Sequence, residues 1–406
     1  METLAMSSLI LQHISLPDWE QHFDRLTARI APHFARPLTH EQAKAYLKGL
    51  LSNVERKNGW QLAEQVGQQN PYRLQHLLDR AVWDQNAVRD EVQRYLLEYL
   101  ADEQGVFVID ETGFLKKGDK SVGVKRQYSG TAGGLDNCQI GVFLGYATSH
   151  GHALLDCALY LPQEWADDPD RCEEAKIPDA VTFATKPKLA QDLLAHALDA
   201  KVTASWVTGD SVYGEDPALR DFLETRRLAY ILAVRNDHRF SWEGGQIRAL
   251  TLTARLLATS WQRLSAGDGA KGPRLFDWAY LPLDAIEAEG FAAGMLVRRS
   301  ISDPTDLAYY AVFAPQGTPL AQLVAVAGTR WTIETAFERA KGEVGLDQYE
   351  VRSWHGWYRH MTLCLLAQAF LAVLRCEQRS LPEKGGPTHP RHSLRNFLQS
   401  RGLSCP

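Results

Sequence analysis

Three carboxylates stand where they could bind a metal ion together. Asp110 ends the apolar run GVFVID, Asp210 ends the run ASWVTGD, and Glu334 lies in a helical segment that begins at Arg330. Hard cations such as Mg²⁺ and Mn²⁺ favour oxygen ligands, and Mg²⁺ usually takes substrate phosphates beside a few carboxylates. Three converging carboxylates would therefore suit phosphoryl transfer, in which bound ions activate water and stabilise the leaving oxygen. For each residue alone, a helix cap, a turn or a solvated helix face is the ordinary alternative.

Cations flank the third carboxylate along its predicted helix. At 3.6 residues per turn, Arg330, Glu334 and Lys341 fall on one stripe. One interpretation is an Arg–Glu ion pair one helical turn apart, which contributes a few tenths of a kcal/mol. The other is that Glu334 binds metal while Arg330 and Lys341 hold the phosphates of a nucleic acid.

A second group of cations follows the first aspartate. The segment FLKKGDKSVGVKRQYSGTAGG has five basic residues, one acidic residue and glycines that let backbone approach a ligand. The five are Lys116, Lys117, Lys120, Lys125 and Arg126. A solvated loop is the alternative, but the place beside the expected metal site favours phosphate binding. Lys271 and Arg274, around a Gly-Pro turn, are two further candidates for DNA contact.

The elements that must position these residues change in kind along the chain. Helical periodicity with little glycine extends as far as Leu100, and β-branched apolar runs begin at Gly105. The runs from Gln139 and His152 predict a hairpin, after which strands alternate with helices. This order predicts an α/β protein with a mixed sheet and flanking helices. Beyond Arg235, glycines, tryptophans and short strands indicate an inserted β-rich module.

Composition excludes some classes of protein and identifies none. The 406 residues are 45% hydrophobic and 23% charged, with a net charge of −5, so no global positive field indicates nucleic-acid binding. The six cysteines have neither CxxC nor Cys/His metal spacing, as expected for reduced thiols. The apolar stretch from Met361 is shorter than a membrane span, and the first residues lack the basic region of a secretory signal. We therefore expect a cytoplasmic protein with no membrane role.

Three blocks resemble the catalytic blocks of the DDE transposases of bacterial insertion sequences. They are VIDETGF, VTGDSVYG and RWTIETAFERAKGEVGLDQYEVRSWHGWYRH. The resemblance is to the subgroup with a β-rich insertion before the catalytic glutamate, the type named after insertion sequence seven-hundred-and-one. Shorter matches such as ERKNGWQLAEQ and GVKRQYSGTAGG extend it over most of the chain. Arg330, Glu334 and Lys341 match the signature Tyr-x2-Arg-x3-Glu-x6-Lys, but its tyrosine position is Ala327.

The resemblance implies a ribonuclease-H-like fold in which Asp110, Asp210 and Glu334 bind Mg²⁺, with Mn²⁺ as a substitute. It implies hydrolysis at the ends of a mobile element, followed by attack of the freed 3′-hydroxyl on target DNA. Double-stranded DNA, as element ends and as target, is the expected partner of a homodimer in a synaptic complex. Two alternatives stay open: a non-catalytic DNA-binding descendant of such an enzyme, and a metal-dependent nuclease without strand transfer.

Five parts of the chain follow from the resemblance and the predicted elements. Residues 1–100 would form a helical DNA-binding domain, and residues 101–234 the first part of the catalytic domain. Residues 235–325 would be the β-rich insertion. Residues 326–376 would complete the catalytic domain, and residues 377–406 would form a flexible tail.

Overall fold

The computed structural model describes residues 16–269, 272–284 and 288–379. The candidate DNA contact Lys271 and residues 380–406, most of the expected tail, lie outside the described residues. The five cysteines within the described ranges are free thiols, as their spacing indicated.

The described chain begins with helices, as the periodicity predicted. They are α1 (Leu16–Ile30), α2 (Pro37–Leu51), α3 (Gly59–Gln65), α4 (Tyr72–Asp79) and α5 (Gln85–Leu100). Side chains cap two of these helices: Asn58 accepts a hydrogen bond from the Gln61 amide, and Asp84 accepts bonds from the first turn of α5. Apolar residues such as Leu47 and Leu96 are fully buried between them.

The central part of the chain forms one mixed sheet and its covering helices. The first strands are β1 (Val106–Leu115), β2 (Lys125–Ser129), β3 (Gly134–Thr148) and β4 (Gly151–Tyr160). Short helices α6 (Gln163–Ala166) and α7 (Pro169–Glu174) follow, then α8 (Lys186–Asp199), β5 (Trp206–Gly209), α9 (Ser211–Gly214), α10 (Pro217–Thr225) and β6 (Ala229–Val234). The predicted hairpin is confirmed as the antiparallel pair β3–β4.

The strand order gives the fold its class. β1 lies between antiparallel β3 and parallel β5, β6 pairs in parallel with β5, and β4 lies on the far side of β3. This is the order of a ribonuclease-H-like sheet, and it confirms the mixed α/β fold expected from the sequence. The crossover helices cover the sheet, so its central strands are buried on both faces. This burial is why the sequences of these strands are nearly continuous apolar runs.

The segment after β6 is rich in strands, and most of them extend the same sheet. A separate hairpin, β7 (Arg239–Trp242) and β8 (Gly245–Arg248), precedes α11 (Ala249–Thr253). Four strands then continue the sheet in the order β12, β11, β10, β9 from the edge of β6: β9 (Gln262–Gly269), β10 (Gly272–Pro282), β11 (Phe291–Arg299) and β12 (Leu307–Pro315). The main sheet thus has ten strands. The division of the chain into domains stays a prediction.

Three helices end the described chain: α12 (Leu320–Thr329), α13 (Trp331–Val344) and α14 (Trp354–Arg379). α13 packs on β3, where the rings of Phe337 and Phe143 lie 5.3 Å apart in an edge-on contact. α14 packs between the N-terminal helices and the sheet, and His360 Nδ1 lies 2.8 Å from the hydroxyl of Tyr46 on α2.

The long apolar helix needs one correction to the sequence analysis. The apolar stretch from Met361 is by itself shorter than a membrane span. It belongs, however, to α14, whose 26 residues are enough by length and composition to cross a membrane. Within the described residues it is the one such helix, and 89% of its most apolar window is buried inside the protein. Burial of this kind is typical of a core helix.

Candidate active site

The two aspartates follow paired positions on adjacent strands. In the parallel ladder of β1 and β5, Ile109 is opposite Gly209, and each aspartate is the next residue along the chain. Asp210 then caps α9, because its Oδ1 accepts a hydrogen bond from the Val212 amide at 2.8 Å. The position of Asp110 after the apolar run predicted that this residue would end β1, but it does not. The strand continues to Leu115 because its ladder with β3 persists, and only the pairing with β5 stops before Asp110.

Both aspartates have raised pKa values, and burial is the main cause. Burial, then the nearby charges of Asp210 and Glu111, raises the pKa of Asp110 to about 7. The pKa of Asp210 is also raised, first by burial and then by the charge of Glu111. Backbone amides and Arg330 only partly offset these effects. Burial and neighbouring carboxylates therefore disfavour the charged form of both aspartates.

Arg330 connects the third carboxylate to the first. Its guanidinium Nη1 lies 3.9 Å from Asp110 Oδ2, and its Nη2 lies 3.6 Å from Glu334 Oε1. Both separations are longer than hydrogen bonds, so these are loose ion pairs. Glu334 is in the first turn of α13, with its side chain 56% exposed. The structure thus brings the three predicted carboxylates to one region, with an arginine between two of them.

Glu111 belongs to the other face of β1. Side chains alternate along a strand, so neighbours in sequence point to opposite faces. The Glu111 carboxylate accepts hydrogen bonds from Lys186 Nζ at 2.7 Å and from the Tyr213 hydroxyl at 2.6 Å. It is engaged by α8 and α9, which gives it a structural role in holding these helices to the sheet.

Lys341 lies on the same face of β1 as Asp110. Its Nζ donates hydrogen bonds to Thr112 Oγ1 at 2.8 Å and to Thr131 Oγ1 at 3.1 Å. Burial lowers its pKa. Thr131, in the turn between β2 and β3, was missed by the sequence analysis, because nothing in a short Gly-rich turn indicates a partner more than 200 residues away. The signature lysine is therefore held two residues beyond Asp110 along β1.

The basic segment after β1 divides into paired and unpaired residues. Lys116 packs on the Tyr349 ring, 3.5 Å from its centroid, and burial lowers its pKa to about 8. Lys120 pairs with Glu174, and Lys125 pairs with Glu164. Only Lys117 and Arg126 of the five are exposed without an ion pair or hydrogen bond of the side chain in the described part of the chain.

A cleft beside this segment collects further cations. It has a volume of about 710 Å³ and lies where the loop before α3 meets the basic segment and the loop after α13. Arg56, Lys117 and Arg352 line it, and so do acidic residues such as Asp347 and Glu350. Arg56 was not among the residues expected to contact DNA, since an isolated exposed arginine carries no signal in sequence.

Arg274 joins an aromatic cluster at the start of α13. Its guanidinium lies 4.9 Å from the centroid of the Trp331 ring, which stacks with Phe276 at 6.2 Å. Arg298 lies over Phe276 at 4.6 Å, and its Nε is buried without a hydrogen-bond partner. The cluster packs the extended part of the sheet against the residue next to Arg330. Arg298 was missed because only the fold brings β11 to the beginning of α13.

The donor set suits a hard divalent cation, although its members are not gathered into one coordination shell. Across the described ranges, no three His, Cys, Asp or Glu side chains lie close enough together to hold one metal ion. Asp110 and Asp210 nevertheless offer partly buried carboxylate oxygens, and their pKa values are raised by burial and by repulsion from neighbouring carboxylates. A bound cation would relieve that repulsion, so these residues fit Mg²⁺ or Mn²⁺.

Comparison with known proteins agrees with this arrangement. The family model described as DDE superfamily endonuclease matches residues 29–249, and the model of the transposase DDE domain matches residues 184–370. The chain is 31% identical over 196 residues to a probable transposase for insertion sequence element IS701 from Microchaete diplosiphon. That match covers 47% of each protein, so the chain spans about half the length of this relative. The chain belongs to the DDE superfamily of endonucleases and transposases.

Proposed function

We propose that this protein is an active transposase that binds the ends of an insertion sequence, cleaves them by metal-dependent hydrolysis and joins the 3′-hydroxyl ends to target DNA. The observation that carries the proposal is that Asp110 and Asp210 directly follow the paired residues Ile109 and Gly209 of β1 and β5, with Glu334 linked to Asp110 through Arg330. Membership of a superfamily of DNA endonucleases supports a nuclease reaction at this site.

Asp110, Asp210 and Glu334 are the proposed catalytic and metal-binding residues. Bound Mg²⁺, with Mn²⁺ as a chemical substitute, would supply the activation of water and the stabilisation of the leaving oxygen. The carboxylates of the two aspartates are held in place by backbone amides. Asp110 accepts a hydrogen bond from the Glu111 amide, and Asp210 accepts one from the Val212 amide. Glu334 is on the helix, and its exposed carboxylate is free to approach when Arg330 turns to a phosphate.

Two of the proposed phosphate contacts, those of Arg330 and Lys341, are made by side chains that reach the face of β1 carrying Asp110. Arg330 and Lys341 flank Glu334 along α13, and Lys117 and Arg126 extend beyond them as exposed cations. A further phosphate contact is proposed for Arg274 of the insertion. Three more lysines would leave their present side-chain partners to bind phosphates: Lys116, Lys120 and Lys125. Lys271 remains a candidate from sequence. Binding of this kind should weaken steeply with salt, since each phosphate contact releases counterions.

The remaining parts of the proposal concern assembly and the other regions. The N-terminal helices would bind the terminal repeats, and the β-rich segment would manage the cleaved end. A homodimer would pair two element ends in a synaptic complex. The protein would act in the cytoplasm, where it has access to DNA.

A cleavage assay tests the proposal. Labelled DNA that carries the element's own ends and flanks is incubated with Mg²⁺, Mn²⁺ or EDTA, and the wild type is compared with Asp110→Ala. We expect end-specific nicking that requires metal and is lost in the variant, with products joined to target DNA. Nicking without joining would favour a plain nuclease. Tight, salt-sensitive end binding without any cleavage would overturn the catalytic proposal in favour of a non-catalytic DNA-binding protein.

A further inference from the structure

The hairpin of β2 and β3 carries an exposed apolar pair beside a cation. Tyr128 is 66% exposed and Leu135 is 67% exposed, and the two residues are direct partners in the antiparallel ladder. Arg126, two residues before Tyr128, is exposed and has no ion pair or hydrogen bond of its side chain among the described residues. Large exposed apolar side chains that neighbour one another usually mark a binding surface.

The register of the sheet shows which way this pair points. Directly opposite residues in a ladder share a face, and faces alternate along each strand. Asp110 is opposite Phe143 on β3, and Leu135 is an even number of residues from Phe143. Leu135, its partner Tyr128, and Arg126 therefore share the sheet face of Asp110. This is also the face on which α13 presents Phe337 to Phe143.

The tip of the hairpin is tied to the candidate active site. Thr131, three residues after Tyr128, accepts a hydrogen bond from Lys341 and donates one to the carbonyl of Gly113 at 3.2 Å. A Cβ at Gly113 would lie 2.1 Å from Ser129 Oγ, so β1 and the hairpin are in contact there as well. The exposed pair is thus on a hairpin whose tip is fixed to β1 and to Lys341 of α13, and not on a free arm.

We propose that Tyr128 is a stacking platform for an unpaired nucleobase of the DNA strand that enters the carboxylate site. Leu135 covers the edge of the base, and Arg126 binds the phosphate next to it. Arg126 and Tyr128 are two residues apart on one face, roughly 7 Å, which suits a phosphate and the base attached to it. The inference rests on the proposed function, because it takes DNA as the substrate.

The chemistry of the surface favours a nucleobase over a second protein. An aromatic ring with an arginine beside it is the usual means of holding a single strand, and the ring accepts any base. Lys341, which contacts the hairpin at Thr131, and Arg330, which lies beside Asp110, also suit a phosphate backbone that runs from the platform to Asp110. A contact with a second copy of the chain is the competing occupant, and the test below distinguishes it.

Photocrosslinking of the full chain tests the platform. DNA ends carrying 5-iododeoxyuridine, one position at a time on each strand around the cleavage site, are bound in EDTA, irradiated and mapped by mass spectrometry. We expect one or two positions to crosslink to Tyr128. Tyr128→Leu should lose this crosslink and bind an end with an unpaired base there roughly 5- to 100-fold more weakly, whereas Tyr128→Phe should keep both properties.

Controls separate the platform from folding, from assembly and from the proposed function. Phe183→Leu removes an exposed aromatic ring, 36% exposed, in the loop before α8, and should keep the crosslink at Tyr128 and the affinity for DNA. Unchanged DNA binding and crosslinking in Tyr128→Leu would overturn the platform, and so would a change confined to the oligomeric state. Cleavage by the wild type is measured in parallel: its absence would count against the proposed function, while the crosslink to Tyr128 would still support the platform.

Discussion

Two aspartates on strands of the same sheet, one on each side of β3, differ sharply in their partners. Asp156 on β4 is fully buried, and its oxygens meet Arg89 at 3.1 Å, His196 Nδ1 at 2.8 Å and the Cys157 amide at 2.7 Å. Asp110 on β1 is 17% exposed, and its closest side-chain cation, on Arg330, is 3.9 Å away. One carboxylate is surrounded by donors, and the other is short of them.

The difference distinguishes a carboxylate that serves the fold from one that we propose binds a cation. A buried carboxylate that serves the fold must have its hydrogen bonds and countercharge supplied by the protein, because an unpaired one is very costly. Around Asp156 these partners come from α5 and α8, so the charge joins the N-terminal helices to the sheet. Around Asp110 the charge is left incompletely compensated, which destabilises the free protein and favours a cation or a proton from outside. Four substitutions would test this distinction.

The largest effect on stability is expected at Asp156. Asp156→Ala leaves Arg89 buried without its partner, and we expect a loss of about 3–5 kcal/mol in the free energy of unfolding. Urea denaturation of the two proteins measures the change. Glu64→Ala, at an exposed position of α3, is the control and should change stability by less than about 0.5 kcal/mol. An Asp156→Ala protein as stable as the wild type would show that the contacts of Asp156 with Arg89 and His196 contribute nothing to the stability of the fold.

Glu334→Gln should have the largest effect on activity with little effect on stability. The amide has nearly the same shape but cannot supply the charge, so we expect cleavage to fall by at least ~100-fold. Gel-shift affinity for end DNA should stay close to that of the wild type. Glu338→Gln, one turn further along α13, is the matched control and should cleave normally. Cleavage by Glu334→Gln at the wild-type rate would remove Glu334 from the catalytic set.

Asp110→Asn should stabilise the metal-free protein. Because the folded pKa of Asp110 is raised to about 7, ionisation of this carboxyl destabilises the fold. The cost is absent below the ordinary pKa near 3.8, grows as the pH rises, and is complete above pH 7 or so. In EDTA at pH 8 we expect a gain on the order of 1 kcal/mol, seen as a rise of a few degrees in Tm, and little gain near pH 4. Added Mg²⁺ should raise the Tm of the wild type more than that of the variant.

The smallest effect on stability is expected from substitution of His196, the histidine that pairs with Asp156. A hydrogen bond to Asp156 raises the pKa of His196, and the charge of Asp90 adds to it, against burial and Arg89. A raised folded pKa means that the stabilisation is fully present below pH 6.5 and is lost as the pH rises through the folded value. His196→Gln should therefore cost about 0.5 kcal/mol at pH 5.5, after screening by solvent, and nearly nothing at pH 9. Chemical denaturation at the two pH values measures it, and an equal loss at both would contradict the assigned protonation.

The sequence was sufficient for the parts of the site that are local. Apolar runs that end in an aspartate predicted the strands of Asp110 and Asp210, and helical spacing put Arg330 and Glu334 on one stripe. It also predicted the hairpin of β3 and β4 and the fold class. The continuation of β1 past Asp110 was not predicted, because a ladder with β3 can hold polar residues that composition alone assigns to a turn.

Long-range pairing was beyond the sequence. The contacts of Lys341 with Thr131 and of Arg298 with Phe276 depend on strands that meet only after folding. The basic segment also showed why a count of charges misleads. Lys120 and Lys125 are paired with glutamates from α7 and α6, whereas Lys117 and Arg126 are exposed without partners among the described residues.

The most direct test of the central claim is to map where a divalent cation binds. Fe²⁺ is substituted for Mg²⁺ in the full chain, ascorbate and peroxide are added, and the sites of local backbone cleavage are read by mass spectrometry. The account predicts cuts near Asp110 and Asp210, suppressed by excess Mg²⁺ and absent from Asp110→Ala, with none near Asp156. Cuts that persist in Asp110→Ala, or a wild type that is not cut at either aspartate, would contradict it.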